Sequence, residues 1–330
     1  MRKQRIKSGY TKFDPAHLFD GLFIPTNGKK RDRLFIEPKI FGGYKVGFQG
    51  FEQLGVDDQS VLLAICAQLG INGLLITEET KGEISKELRK DLFAQNEAIA
   101  TKKTTLRSIL IDAGYKKNDT TQIITIALNR LRATQIREIN IETGWDRVHN
   151  ILSTMFNEKT GELYLAVNPR LSGAVLGEQQ NVQISLFERN ELNSEVAKIL
   201  HAWLCSNIRL GKSIGNNNNG VSVDALIPHV YGALTGKESR QVLSKRRSAI
   251  SNALKEIQQA TEHINLGTGW CVEQTSNGLF TISRPKKLPI ADTFILPSGL
   301  EQKQKELNDE NWWNTGRTDD LYSIYGVTKN

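Results

Sequence analysis

The residues best suited to chemistry form a basic segment in the last third of the chain. No acidic residue stands between Glu238 and Glu256. The cations of this segment are Arg240, Lys245, Arg246, Arg247 and Lys255. A solvated helix face usually mixes both signs of charge, so this bias favours contact with phosphates over the competing interpretation of an ordinary solvated surface helix.

Hydrophobic spacing predicts one amphipathic helix over residues 240–257. Its apolar stripe consists of Leu243, Ile250, Leu254 and Ile257. The opposite side carries Gln241, Lys245, Ser248, Asn252 and Lys255. Amides and hydroxyls of this kind read base edges, and cations hold phosphates. We therefore predict a recognition helix, with Arg240, Arg246 and Arg247 as phosphate clamps.

A second predicted helix, residues 122–134, has a less uniform outer side. Ile124, Leu128 and Leu131 form its buried stripe. The other side holds Gln122, Thr125, Asn129 and Arg132, with Arg130 at the edge. Ile126 and Ala133 share that side, so two interpretations stay open: a weaker DNA contact, or a protein interface.

A basic run also follows the last predicted hairpin. Arg284 and Lys286 belong to the run 284–287, directly after a strand. The wing of a DNA-binding module, or its outgoing strand, often lies along the nucleic-acid backbone, which makes both residues candidate DNA contacts. Solubilising charge at the end of a domain is the alternative.

Motifs for catalysis or metal binding are incomplete. Gly211-Lys212-Ser213 resembles the end of a phosphate-binding loop, but it follows a predicted helix and Ser206 stands where a glycine is required. His201 and Cys205 have the spacing of two metal ligands on a helix, yet no further ligand accompanies them, which favours core packing. We expect no enzyme activity, no cofactor and no metal.

Length and composition indicate two folded domains. The chain has 330 residues, of which 39% are hydrophobic and 24% charged, with a net charge of +7. It contains no apolar run of membrane-spanning length and no signal-peptide pattern, so a cytoplasmic protein without membrane contact is expected. Residues 1–39 hold ten basic against four acidic residues. Residues 1–40 are thus predicted to be a basic arm, either a tether for phosphates or a solvated start.

The order of predicted elements repeats along the chain. A core helix over residues 61–69, capped by Asp57 or Asp58, is followed by a charged surface helix over residues 81–98. Two further helices and a β-ribbon then follow. A similar helix, loop, helix, helix and hairpin recur after residue 188. This predicts an α+β fold of two tandem winged helix-turn-helix domains, residues 41–188 and 189–286, with a C-terminal extension over residues 287–330.

Several segments resemble the replication initiator protein C family of IncQ-type broad-host-range plasmids. The matching segments are 14–17 (Asp-Pro-Ala-His), 48–58 (Phe-Gln-Gly-Phe-Glu-Gln-Leu-Gly-Val-Asp-Asp), 72–74 (Asn-Gly-Leu), 161–169 (Gly-Glu-Leu-Tyr-Leu-Ala-Val-Asn-Pro), 182–185 (Val-Gln-Ile-Ser), 199–205 (Ile-Leu-His-Ala-Trp-Leu-Cys), 245–247 (Lys-Arg-Arg), 269–270 (Gly-Trp) and 282–286 (Ile-Ser-Arg-Pro-Lys). They occur in the family's order over residues 14–286.

The resemblance implies a plasmid replication initiator with two winged-helix domains. Such proteins bind directly repeated sites, called iterons, in double-stranded origin DNA and promote opening of an adjacent A·T-rich region. The plasmid's helicase and primase then assemble there. By analogy with related initiators, the resemblance also implies a possible homodimer through the first domain. It assigns no role to the tail.

Two other classes of protein share some of these features. A winged-helix transcriptional repressor would have the same DNA-binding residues but would not open an origin. A relaxase or primase would need a catalytic constellation, and the paired histidines of rolling-circle nickases are absent from this sequence.

Overall fold

The computed structural model describes residues 9–26, 28, 30–94, 96–215, 220–264 and 269–288, with side chains described up to residue 262 in the second-last range. Residues 1–8 of the predicted arm and residues 289–330 of the predicted extension lie outside the described residues.

The first part of the chain alternates short strands with helices. After β1 (Tyr10–Phe13), a 3-10 helix (Pro15–Leu18), β2 (Leu34–Phe41) and β3 (Tyr44–Gly50), the chain forms α1 (Val56–Asn72), β4 (Leu74–Ile76), α2 (Glu83–Asp91), β5 (Ile99–Thr104), α3 (Leu106–Asp112), α4 (Gln122–Arg132), β6 (Gln135–Asn140), β7 (Asp146–Asn150), β8 (Leu152–Asn157), β9 (Glu162–Val167) and α5 (Pro169–Leu176). We call residues 34–176 the first unit.

The second part is more helical. It contains β10 (Val182–Ser185), α6 (Leu186–Glu191), α7 (Glu195–Asn207), β11 (Ser213–Ile214), α8 (Val223–Tyr231), α9 (Arg240–Ile264), β12 (Cys271–Gln274) and β13 (Phe280–Ser283). We call residues 186–288 the second unit. Helices and antiparallel strands together agree with the predicted α+β class.

The two units share one order of strands around their helices. In the first unit the sheet order is β4-β5-β9-β8, and in the second it is β11-β13-β12. In both sheets, the strand that precedes the helix pair (β5 or β11) lies beside the second strand of the β-ribbon (β9 or β13). The first strand of the ribbon (β8 or β12) lies at the edge of the sheet. A further sheet, β2-β3-β6-β7, belongs only to the first unit, where β6 and β7 are inserted between α4 and the ribbon.

The central helix α1 differs from its predicted start and end. Its N-cap is Gly55, not Asp57 or Asp58 as predicted, and the Asp58 carboxylate accepts the Gly55 N–H at 2.7 Å. The helix continues through Gly70 to Asn72. A glycine inside a helix costs only about 1 kcal/mol, and the burial of residues 61–69 on every side of α1 outweighs that cost.

The predicted surface helix over residues 81–98 is also shorter than expected. α2 ends at Asp91, and β5 begins at Ile99. Leu92, Ala94 and Ile99 pack with Leu88 in a small second core, separate from the main one. The helix ends where Phe93 adopts a left-handed backbone conformation, with a φ of 54°, and the Ala94 N–H closes the last turn on the Arg89 carbonyl.

Residues 10–26 form a strap across the two units instead of a free arm. β1 pairs antiparallel with β10, and Phe13 is fully buried. Further along the strap, Asp20 Oδ1 lies 2.8 Å from Nδ1 of His229 on α8. The Thr26 N–H donates to Glu195 on α7 at 2.8 Å. The basic-arm prediction is therefore wrong for these residues, because their apolar side chains are needed in the core.

One hydrophobic core extends through both units. It runs from Phe13 of the strap to Ile282 of β13. At the junction, the Arg189 side chain is fully buried and donates to the Ser60 hydroxyl of α1 at 3.2 Å and to the Lys198 carbonyl of α7 at 2.5 Å. Burial lowers the pKa of Arg189 to about 10, so the guanidinium stays charged at neutral pH. A shared core and a buried polar junction together fix how the units are oriented.

Candidate nucleic-acid interface

The predicted recognition helix corresponds to α9 and is oriented as its sequence pattern requires. Ile250, Leu254 and Ile257 are fully buried, and Leu243 is half-buried. The predicted contact residues that are exposed are Arg240, Gln241, Lys245, Arg247, Ser248, Asn252 and Lys255. Within the described part of the chain, nothing covers this side of the helix. The apolar side packs on α6, α7 and α8.

Local hydrogen bonds define where α9 starts. The Ser239 hydroxyl accepts the Val242 N–H at 3.3 Å, as an N-cap serine does. Just before it, Glu238 accepts hydrogen bonds from the Thr235 N–H at 2.9 Å and from the Thr235 hydroxyl at 3.2 Å. These bonds to its carboxylate hold the pKa of Glu238 below its usual value. The first turn of α9 is thus positioned at the surface with its cations outward.

The two central arginines of α9, Arg246 and Arg247, differ in how accessible their guanidinium groups are to solvent. Arg246 is half-buried, with its guanidinium 4.8 Å from the Tyr231 ring centroid and 4.0 Å from the Glu238 carboxylate. Arg247 is exposed and forms a two-point ion pair with Asp224 of α8. That pair raises the pKa of Arg247 further above neutral pH. A phosphate can approach Arg247 from solvent, whereas Arg246 is partly enclosed.

The acid that ends the basic segment points away from the exposed side. Glu256 accepts the backbone N–H groups of Asn193 and Ser194 at 2.5 and 3.0 Å, and the Ser194 hydroxyl at 2.6 Å. It thereby stabilises the start of α7, where a carboxylate interacts favourably with the helix dipole. The exposed side of α9 stays free of acidic residues from Arg240 to Lys255.

The prediction that Arg284 is a backbone contact conflicts with its surroundings. Its side chain is 6% exposed and donates to the Cys205 carbonyl at 2.6 Å, to the Ile208 carbonyl at 2.9 Å and to the Gln183 carbonyl. The guanidinium also lies 5.8 Å from the Trp270 ring centroid. A buried arginine with these partners cannot reach a phosphate, so we correct its role to a structural one.

Lys286 is exposed but does not belong to the ribbon's turn. The turn between β12 and β13 spans residues 275–279 (Thr-Ser-Asn-Gly-Leu) and contains no cation. Lys286 lies at the other end of β13, next to Gly211. It can contact phosphate only at that end of the sheet.

In the first unit, α4 shows the mixed outer side that its sequence indicates. Ile124, Leu128 and Leu131 are buried. The exposed candidates are Gln122, Thr125, Asn129 and Arg132, beside Ile126, which is 40% exposed. Asn129 and Arg132 line an open cleft with Asp91 and Asn150. The structure leaves both interpretations of α4 open.

Arg130 is bound within the first unit. Its guanidinium contacts the buried Asp58 carboxylate and the Glu52 carboxylate, each at 3.0 Å. Burial alone would lower the pKa of Arg130, but the two acids outweigh it and raise the pKa. Asp58 also accepts from Arg31 at 2.6 Å. Arg130 serves mainly to neutralise a buried charge, so its predicted role in DNA contact is corrected.

His201 and Cys205 pack in the core of the second unit. His201 Nε2 lies 3.0 Å from the Glu188 carboxylate and 3.8 Å from the Cys205 sulfur. The indole N–H of Trp270 donates to the same carboxylate oxygen of Glu188 at 3.2 Å. Among the described residues, no group of three or more His, Cys, Asp or Glu side chains has the arrangement to hold a metal ion. None of the helices described is both long and apolar enough to cross a lipid bilayer.

Two exposed cations of the second unit were not singled out from the sequence. Arg209 and Lys212 follow α7 and meet the segment after β13. They are distant from Lys286 in sequence, and only the pairing of β11 with β13 brings them together.

A comparison with protein-family models gives one match over most of the chain. The model described as Replication protein C (RepC) matches residues 6–286. A search of curated proteins finds no match. The family match confirms the resemblance inferred from the ordered segments.

Proposed function

This chain belongs to the replication protein C family, and on that premise we propose that it is a plasmid replication initiator that binds directly repeated sites in double-stranded origin DNA. The observation that carries the proposal is the exposed side of α9, which contributes no acidic residue of its own and presents Lys245, Ser248 and Asn252 above a buried apolar stripe. These side chains suit base edges and phosphates in a major groove.

We propose that both units are winged helices. In each unit a helix, a strand, two helices and a β-ribbon follow one another, and the strand orders β4-β5-β9-β8 and β11-β13-β12 correspond. In such modules the second helix of the pair enters the major groove. That helix is α9 in the second unit and α4 in the first.

The second unit is the main reader in this proposal. Gln241, Lys245, Ser248 and Asn252 face the bases, while Arg240, Arg247 and Lys255 bind phosphates. The α4 residues Gln122, Thr125, Asn129 and Arg132 make a weaker contact in a neighbouring groove. Because the strap and the shared core hold the units together, binding by α9 raises the effective concentration of α4 at the DNA, and a weak contact there still adds affinity.

Adjacent bound copies would bend the origin and promote opening of an A·T-rich segment, where deformation costs least. The plasmid's helicase and primase would assemble on the opened strands, and a homodimer through the first unit would regulate the number of active monomers. These steps need no nucleotide hydrolysis and no cofactor in this chain, which is not an enzyme in this proposal.

Gel shifts on origin DNA test the recognition helix. We expect Lys245→Ala and Arg247→Ala to weaken binding to all duplexes, because phosphate contacts carry no sequence information. Asn252→Ala should cost about 1–3 kcal/mol on specific sites only, if the amide reads a base. Unchanged binding by all three variants would show that α9 is not the reader.

Permanganate footprinting separates an initiator from a repressor. The purified protein is added to supercoiled origin DNA, and reactive thymines are mapped. New reactivity in an A·T-rich segment beside the bound repeats is the expected result. Specific binding without such reactivity, including after addition of the plasmid helicase, would favour the winged-helix repressor.

A further inference from the structure

Four exposed cations, from two segments that are distant in sequence, lie at one end of the second unit's sheet. This end is opposite the turn between β12 and β13. Arg209 and Lys212 lie between α7 and β11, and Lys286 and Lys287 follow β13. The Gly211 N–H donates to the Pro285 carbonyl at 3.1 Å, and the Arg284 N–H donates to the Lys212 carbonyl at 2.9 Å. We call these four cations the basic corner.

The basic corner is uncompensated by acids. Segments 206–215 and 283–288 contain no Asp or Glu, and in the described part of the chain none of the four cations forms an ion pair. Exposed cations elsewhere do pair, as Arg137 does with Asp146 and Arg147 with Glu97. On the adjoining strand β12, the nearest acid is Glu273. Glu273 pairs in register with Thr281 of β13, which lies two residues before Ser283 at the end of that strand.

Buried hydrogen bonds hold together the two segments beneath these cations. Arg284 is buried directly under the corner and ties both segments together, because it donates to the carbonyls of Cys205 and Ile208 at the end of α7. The first of those bonds satisfies the Cys205 carbonyl in the last turn of α7, and the second satisfies the carbonyl of the C-cap residue Ile208. Cations near a helix C-terminus are generally stabilising, and the buried Arg284 guanidinium occupies that position here.

The corner lies outside the exposed side of α9. β13 separates it from the turn at residues 275–279, which in a winged helix lies beside the bound groove. Four strand residues span about 13 Å, which corresponds to about four phosphates along the axis of one DNA strand. We therefore expect duplex that continues beyond the recognised site to reach the corner.

We propose that the basic corner binds the phosphate backbone of duplex DNA flanking the recognised site and holds that flank against the second unit. This inference rests on the proposed function, since it extends the contact made by α9. The partner is identified by its chemistry: a row of phosphates, which unpaired lysine and arginine side chains bind without regard to sequence. By holding the flank, the corner would set the direction in which the DNA leaves the site.

The experiment compares two double variants of the full chain with a matched control. Arg209→Ala with Lys212→Ala removes one segment's cations, and Lys286→Ala with Lys287→Ala removes the other's. The control, Lys86→Ala with Lys90→Ala, removes the same charge from α2, where both lysines face acidic partners. Affinity is measured by fluorescence anisotropy at several salt concentrations, on a duplex of about 20 base pairs holding one site and on one extended by about one helical turn at each end.

We expect each corner variant to bind the long duplex about three- to tenfold more weakly than the wild type. The slope of the logarithm of affinity against the logarithm of salt concentration should be shallower by about one to two, which corresponds to one to two fewer released ions. Binding to the short duplex should equal that of the wild type, and the control should match the wild type on both. Lys286→Arg with Lys287→Arg should bind like the wild type, because charge is retained. All substituted side chains are exposed, so the fold should persist.

Equal binding of wild type and corner variants to the long duplex would overturn the inference. Equal weakening on both duplexes would overturn it too, because a general attraction would then suffice. Failure of the wild type to bind either duplex specifically would count against the proposed function as a whole, which keeps the two failures distinguishable.

Discussion

Arg247 of α9 and Asp224 of α8 form a two-point ion pair, with distances of 2.6 Å from Nε to Oδ1 and 3.1 Å from the second guanidinium nitrogen to Oδ2. The two side chains are 51% and 58% exposed. At that exposure, water and salt weaken the pair, so a phosphate can replace the carboxylate. Asp224 therefore holds the guanidinium in place in the free protein, and in the complex that we propose it would compete with a phosphate for Arg247.

Asp224→Asn should strengthen DNA binding. The change removes a negative charge beside the proposed interface and frees Arg247, so we expect affinity to rise about two- to fivefold at low salt, with a smaller gain at high salt. The matched control is Asp146→Asn, which frees Arg137 on β6 of the first unit in a pair that is also exposed. Weaker binding by the Asp224 variant would mean that the carboxylate orients Arg247 for its contact.

Arg284→Met should destabilise the protein. Two buried carbonyls and one part-buried carbonyl would lose this donor, and the expected loss is about 2–4 kcal/mol in the free energy of unfolding, measured by urea denaturation. Lys286→Met, two residues away and exposed, should change it by less than about 0.5 kcal/mol. Wild-type stability in the Arg284 variant would contradict the structural role assigned to this residue.

Arg130→Met should unfold more easily than Arg132→Met. Loss of Arg130 leaves the fully buried Asp58 carboxylate with one cation, Arg31, and we expect a cost of about 1–3 kcal/mol. Arg132 is exposed, so its substitution should leave the stability close to wild type while weakening any α4 contact with DNA. Thermal and urea unfolding of the two variants provide the measurement, and equal stability would argue that Arg130 is free for DNA.

The stability of the second unit should decline at alkaline pH through His201. Burial alone would lower the pKa of this imidazole, but Cys205 and the Glu188 carboxylate outweigh it and raise the pKa to about 9. The unfolded value is about 6.5. A raised pKa in the folded state stabilises fully below that unfolded value, and the contribution disappears as the pH rises through about 9.

Unfolding curves of wild type and His201→Gln from pH 6 to pH 10 isolate this contribution. The difference between the two free energies should be largest at about pH 6 and shrink toward pH 10. Glu188→Gln should move the decline to lower pH, because the carboxylate that favours the imidazolium is lost. A difference that stays constant across the range would refute a charged His201.

Local patterns were sufficient for many elements of this fold. The predicted helix over residues 122–134 corresponds to α4, and the turn Ser276-Asn277-Gly278 joins β12 and β13 with Gly278 at a φ of 76°. The buried stripe of α9 also agrees with its 3.6-residue period. These features depend on neighbours within one or two turns of chain, so their signals are present in any short stretch of sequence.

Charge alone did not reveal which arginines are available. Arg284, Arg130 and Arg247 look alike as exposed cations in a sequence, yet the first is buried, the second neutralises Asp58 and the third pairs with an exposed acid. Their partners lie from 23 to 101 residues away along the chain. No periodic pattern spans such separations.

Residue order alone was enough to predict the exposed polar side of α9, its buried apolar side and the family to which the chain belongs. This is possible because the position of a residue along a helix decides which side of the helix it occupies. The strap, the shared core and the basic corner exist only after folding. Each joins segments that are far apart in the chain, and contacts of that kind form when burying apolar surface across the whole molecule outweighs the entropy lost in bringing the segments together.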